Sequence, residues 1–465
     1  MRQAVDLLRW YAFCRFLLVM ENNEAIVEGI RQAATPIAEA KEDYDALLEA
    51  IGNDRFVLLG EATHGTHEFY RERARITKRL LEEKGFGAVA IEADWPDAYR
   101  VNRYVQGSSH DASSFEALAG FERFPTWMWR NTDVVNFVDW LRTYNDGLAG
   151  SAPKAGFYGL DLYSLYGSID AVLNYLERVD PEAATRARYR YSCFDHFGED
   201  SQAYGYAANF DLSRACIDEV IDQLLELQRH ASTYSSRDGR VAADEFFYAE
   251  QNARLVKNAE EYYRTMFRGR VHSWNRRDRH MAETLEALSI YRENQGLPAK
   301  IVVWEHNSHV GDARATELGE EGELNVGQLM RQRHGSETTL VGFTTYSGRV
   351  TAASGWGEAA ERKRVRQAIP ESYESCFHET GIPHFLLRVR RAPKLISLLQ
   401  EARSERAIGV VYVPETERVS HYFRAHLARQ FDAVVHMDET TAVEPLEKTP
   451  LWKAGEAAES YPSGL

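Results

Sequence analysis

Apolar and polar positions along the chain follow two rhythms. Short apolar runs rich in β-branched residues alternate with longer stretches in which apolar positions return every three or four residues. The runs RFVLLG (55–60), GAVAIEA (87–93), GFYGLDL (156–162), KIVVWEH (300–306), TTLVGFTTY (338–346), HFLLRV (384–389), AIGVVYV (407–413) and DAVVHMD (432–438) read as strands. Strands alternating with helical patterns predict an α/β fold, here a central, largely parallel sheet flanked by helices. The first four runs carry Glu61, Glu92, Asp161 and Glu305–His306 at or just past their C-terminal ends. Open parallel sheets bind ligands outside those ends. Four separate segments therefore deliver acids and bases to one edge.

The middle of the chain has only the helical rhythm. CIDEVIDQLLELQRH and DEFFYAEQNARLVKNAEEYYRTMF are typical of it, with SSRDGR (235–240) and NQGLP (294–298) as breaks. The expected division is an N-terminal extension (1–29), the first part of an α/β core (30–180), a helical insertion or cap over the active-site cleft (181–295) and the second part of the core (296–465). LLRWYAFCRFLLVM (7–20) is apolar but short and interrupted by Arg9 and Arg15. A spanning helix needs about 20 apolar residues, so residues 1–19 read as a dispensable extension and no membrane association is expected.

Composition narrows the picture a little. A chain of 465 residues with 44% hydrophobic and 27% charged content can bury a large core as two or three domain-sized units. Its net charge of −15 opposes binding to nucleic acid. The scattered cysteines Cys14, Cys193, Cys216 and Cys376 form no CxxC, which argues against a disulfide scaffold and a cysteine zinc site. A reducing, cytoplasmic setting is the expectation.

The chemistry concentrates in four motifs. GEATHG (60–65) puts Glu61 and His64 on a strand-to-helix turn, where Gly60 and Gly65 are expected to supply special backbone conformations and Thr63 or Thr66 to cap the helix. His67 and Glu68, which follow, are expected to face solvent or the cleft rim. EADWPD (92–97) ends a neighbouring strand on Glu92. WEHNSHV (304–310) spaces His306 and His309 three apart, so that one helical turn would bring both to a single pocket. SWNRRDRHMAETL (273–285) clusters Arg276, Arg277 and Arg279 before an amphipathic helix, as a solvated helix start or as a clamp for an oxyanion. Carboxylates beside imidazoles suit metal-free acid–base work first; the alternatives are a divalent metal site serving a hydrolase or transferase, though no HExxH is present, and a non-catalytic cleft that binds a small molecule. GxSxG, GxxxxGK[ST] and GxGxxG are absent, so a serine-hydrolase elbow and nucleotide binding lack support. A hydrolase built on these residues has to activate water directly.

GEATHG, IEADW and WEHNSHV, in this order, resemble the erythromycin esterase family, which includes succinoglycan-biosynthesis-like proteins. RNT and WLRTYN (130–145), GLDLYSL (159–165), DRHMAETL (278–285), NVGQL (325–329) and TTYSG (344–348) extend the resemblance over roughly residues 30–440. It implies an α/β core with a helical part closing over a deep cleft. It also implies a carboxylic ester hydrolase without a cofactor or a covalent serine intermediate. The substrate class implied is a small-molecule ester or a macrolide-like lactone, and with it antibiotic resistance. By motif, His64 is the expected base for water, Glu61 and Glu92 orient and tune it, and Arg73 matches an arginine on the next helix. His306 and His309 match a second histidine pair that stabilises the oxyanion or orients the carbonyl. Asp161, His309 and Arg277 are the expected substrate-binding residues. Arg73 or a histidine would offset charge on the tetrahedral oxygen.

Overall fold

The computed structural model describes residues 23–455 apart from 151, 198–199, 211–214 and 236–239. The apolar N-terminal segment and most of the SSRDGR break lie outside these. Eleven strands are present among the described residues: β1 (Ala34–Pro36), β2 (Phe56–Leu59), β3 (Phe86–Asp94), β4 (Gly156–Asp161), β5 (Lys300–Trp304), β6 (Thr338–Ala352), β7 (Glu361–Val365), β8 (His384–Leu387), β9 (Arg403–Arg406), β10 (Tyr422–Ala425) and β11 (Ala433–Thr440). Nine form one sheet in the order β1-β8-β11-β6-β2-β5-β3-β4, with β7 paired to the far end of β6. The five pairings from β11 to β4 are parallel. Antiparallel β1 and β8 close one side, and β9 and β10 make a small separate sheet.

The sheet is buried on both faces, which is why its strands read as continuous apolar runs. Alternate side chains divide between two cores. Phe56, Leu58, Ala90, Ile301 and Val303 share one core with Val172, Leu285 and Leu288 of the helical region. Val57, Leu59, Ile91, Val302 and Trp304 share the other with Ile76 and Leu80 of the helix His67–Lys84 and with Phe137 and Leu141 of the helix Thr132–Asp146.

The described helical stretch starts earlier than the pattern predicts, at Leu165, and runs to Asn294 without a strand among the described residues. It lies on one sheet face and continues the sheet's core. Its last helix, Arg270–Asn294, reaches the C-terminal edge of the strands. Within it Cys193 and Cys216 form a disulfide, against the expectation of unpaired cysteines. Packing of separate helices makes this contact, and sequence spacing carries no trace of it. Residues 23–33 also depart from the expected extension. They form a helix whose Ile26, Val27 and Ile30 are buried in the first core.

AIGVVYV is not a strand. It crosses the strand ends instead and makes single bridges, Ile408 to Thr63 and Val411 to Ala353. Its apolarity is spent in a small cluster with Val350, Ala352 and Val365. No helix among the described residues is long and apolar enough to cross a membrane.

Candidate active site

The turn after β2 is held by close backbone approach. A Cβ on Gly60 would lie 2.1 Å from Asn307 Oδ1, and one on Gly65 would lie 1.9 Å from the Thr351 carbonyl oxygen. Neither glycine adopts a positive φ, so room, and not conformational freedom, is what the turn requires of them. Thr66 occupies the N-cap position of the helix His67–Lys84 without a side-chain capping bond, and its hydroxyl pairs with Thr63. His67 and Glu68 depart from the expected solvent exposure. His67 bonds Asp133 at 2.8 Å, and the buried Glu68 accepts from the backbone N–H and hydroxyl of Thr441. Together they pin the helix.

This turn presents His64 to a cleft of about 370 Å³ at the C-terminal edge of the sheet. His64 Nδ1 lies 2.9 Å from Glu61 Oε1. The second oxygen of Glu61 lies 2.6 Å from Arg73 Nη2, an ion pair with both side chains fully buried. The guanidinium of Arg73 is sandwiched by the rings of Tyr70 and Trp304, at 4.6 and 5.1 Å. Arg73 and Glu61 therefore stand behind His64 and do not line the cleft. This corrects the expectation that Arg73 could meet the tetrahedral oxygen: it positions the partner of His64. Glu61 thus faces Nδ1, and the opposite edge of the ring, with Nε2, is turned to the cleft.

His306 stands beside His64, ring centroids 4.8 Å apart. The short helix Asn307–Val310 begins there. His306 Nδ1 accepts from the Ser308 backbone N–H at 3.2 Å, with the Ser308 hydroxyl at 2.8 Å. The proton therefore sits on Nε2, a fully buried nitrogen on the side of the Ala62 backbone. Burial depresses the His306 pKa to about 3, so the ring is neutral.

His309 is set the opposite way. Burial disfavours its charge, but Asp278 and Glu92 outweigh that and raise its pKa to about 10. Nδ1 is 2.8 Å from Asp278 Oδ1, and Nε2 is 3.4 Å from Glu92 Oε1. Trp274 stacks on the ring at 4.5 Å. Arg277 bridges the same wall. It donates to Asp161 at 3.0 and 2.7 Å and to Glu92 at 2.7 Å, and its Nη1 lies 3.1 Å from His309. Burial works against charge on Glu92, yet His309 and Arg277 hold its pKa well below the usual carboxylate range. Glu92 also accepts from the His306 backbone N–H at 2.9 Å, tying the two walls together.

The cleft thus gathers His64, Glu92, Asp161, Arg277, His306 and His309, all expected to meet there. Asp161 is committed to Arg277 and reaches a ligand through it. Arg276, Arg277 and Arg279 lie inside the helix Arg270–Asn294 and not before it. Helical rotation turns only Arg277 into the cleft. Arg276 meets Asn258 and Glu261, and Arg279 is exposed. Asp278, Trp274 and Ser308 complete the site and had no separate signal, although each adjoins or sits inside a motif. Glu305 does not line the cleft. It is fully buried, neither carboxyl oxygen is bonded, and burial, with Glu92 and Asp278 beside it, pushes its pKa well up. Among the described residues no three His, Cys, Asp or Glu side chains are arranged to hold a metal ion.

Known proteins resemble this chain at low identity. A sequence model of the erythromycin esterase family matches residues 81–440, starting beyond the His64 turn. YbfO of Bacillus subtilis (strain 168) is 22% identical over 86% of this chain and 87% of its own length. Erythromycin esterase type II of Escherichia coli is 20% identical over 87% and 94%. Among solved structures, a Bacillus cereus protein superposes with a TM-score of 0.76 at 20% identity, covering 91% of this chain and 99% of its own. A succinoglycan biosynthesis protein gives 0.72 at 22% identity, covering 91% and 98%. A variant of the erythromycin esterase EreC in its open conformation gives 0.63 at 18% identity, covering 87% and 95%.

Proposed function

Because this chain belongs to the erythromycin esterase family, we propose that it hydrolyses a carboxylic ester or lactone with water activated by His64. Hydrolase chemistry is what the family and the E. coli relative support at this level of identity. The observation that carries the finer reading is the contact between Glu61 and His64 Nδ1. On the proposed mechanism Glu61 takes Nδ1–H at 2.9 Å, and this leaves the Nε2 lone pair at the cleft. Water at neutral pH is a weak nucleophile and needs such a base.

In this reading the water oxygen adds to the carbonyl carbon while its proton passes to His64 Nε2. The carbonyl π electrons move onto oxygen, and the oxyanion meets the cationic groups of His309 and Arg277. Collapse breaks the carbon–oxygen bond to the leaving group, and the departing alkoxide takes the proton back from His64. The products are an acid and an alcohol, and no serine ester forms.

The reading uses no metal ion. In its support, the candidate carboxylate ligands are engaged by cations already, Glu92 and Asp161 by Arg277 and Glu61 by Arg73. A panel of simple esters, lactones and macrolides, assayed with wild type and His64→Ala, tests the proposal. Turnover lost with ligand binding retained is expected. Turnover indifferent to the substitution, or abolished by chelation and restored by a divalent metal, would overturn it.

A further inference from the structure

The cleft has a second end. Past Gly348 the strand β6 leaves the body of the sheet and pairs only with β7, so the two form a hairpin beyond the strand ends. Its outer end, one pair before the connection, is fastened beside the catalytic turn. The Thr351 N–H donates to the Gly65 carbonyl at 3.0 Å, and the Thr351 hydroxyl bonds the Val443 carbonyl and receives the Trp452 indole N–H. Trp356 lies in the connection between the two strands, lines the cleft, and is nevertheless 63% exposed. Its ring contact is with Phe124, edge-on at 5.1 Å. Phe121, Pro125 and Trp129 line the cleft as well.

An isolated exposed aromatic needs no explanation. An indole at the mouth of a catalytic cleft, on a hairpin bolted to the catalytic turn, does. Trp356 comes five positions after Thr351, so its backbone lies within about 18 Å of the residue that anchors the hairpin to Gly65.

Building on the hydrolytic reading, we propose that Trp356 is a specificity-determining residue that stacks on the flat face of a ring in the non-reacting part of the ester. An aryl ring supplies a π face and a pyranose supplies axial C–H groups, and both present the same flat apolar surface to indole.

The test compares wild type, Trp356→Phe and Trp356→Ala on 1-naphthyl acetate, glucose pentaacetate and the ringless ethyl acetate. Trp356→Ala is expected to lower the kcat/KM of a ring-bearing ester relative to ethyl acetate about tenfold, through KM, with Trp356→Phe retaining most of it. An effect on the naphthyl ester alone assigns the platform to aryl groups, and one on the sugar ester alone to saccharides. Equal losses on all three esters, or an unchanged ratio, would overturn the proposal. A parallel calorimetric titration of both ring esters into His64→Ala, with and without Trp356→Ala, separates this idea from the hydrolytic one. Should wild type turn over none of the esters, an affinity that falls on removing the indole still supports the platform. An identical affinity in the two proteins rejects it.

Discussion

The two walls of the cleft are built by different rules. On one, Glu61, His64 and Arg73 come from a single turn and the helix that follows it, and each contact is local in sequence. On the other, Glu92, Asp161, Arg277, Asp278 and His309 come from β3, β4, the helix Arg270–Asn294 and the short helix after β5. The difference appears in the imidazoles. Beside His64 one carboxylate lies 2.9 Å from Nδ1 and is itself paired with a buried arginine, the arrangement the proposed base requires. Around His309 two carboxylates favour the cation, while His306, three residues away, is driven neutral. A local wall can make a base. Surrounding one imidazole with two carboxylates takes several segments.

Removing the base breaks the comparison most severely. His64→Ala should lower kcat by about 10²–10⁴-fold in initial-rate assays while far-ultraviolet circular dichroism stays native. On the other wall the largest effect is on stability. Arg277→Met leaves Glu92 and Asp161 buried without their cation, and urea unfolding should show a loss of about 3–5 kcal/mol. If both substitutions affect activity alone, the walls are not different in kind.

A smaller change sharpens the contrast. Asp278→Asn removes the charged partner of His309 and should cost about 1.5–3 kcal/mol. It should also shift the His309 titration, followed by NMR, to lower pH. In the wild type the sign follows from linkage. The folded pKa of His309, about 10, lies above the unfolded value of about 6.5. The stability contributed by its charge is full below about 6.5 and is lost progressively as pH rises to 10. A urea midpoint flat between pH 7 and 10 would contradict that assignment. Least of all, Ser308→Ala should cost about 0.5–1.5 kcal/mol and leave the His306 tautomer unchanged in its ¹⁵N shifts, because the backbone N–H that bonds Nδ1 remains.

These walls also differ in how far they could be read in advance. GEATHG announces its own pair, because a strand end, a tight turn and a helix start lie within one window. RRDRH conceals its content. The three arginines look alike in sequence, and only the seating of the helix Arg270–Asn294 on the sheet turns Arg277 toward Glu92 and Asp161 and leaves Arg279 in water. AIGVVYV misleads for a related reason. Apolarity here serves a segment that crosses the strand ends, with Ile408 and Tyr412 buried and the residues between them partly exposed.

By itself, then, the sequence determined the alternation of strands and helices, the edge at which Glu61, Glu92, Asp161 and His306 emerge, and the local pairing of Glu61 with His64. Periodicity and turn chemistry act over a few residues and can be read there. The tertiary structure alone decided that Arg73 lies behind the base, that Asp278 charges His309, that Gly60 and Gly65 yield space to Asn307 and Thr351, and that Cys193 meets Cys216. Each is a contact between segments far apart in the chain or a consequence of which helix face the core accepts. Such contacts depend on the summed packing of many side chains, and no short stretch of sequence encodes them.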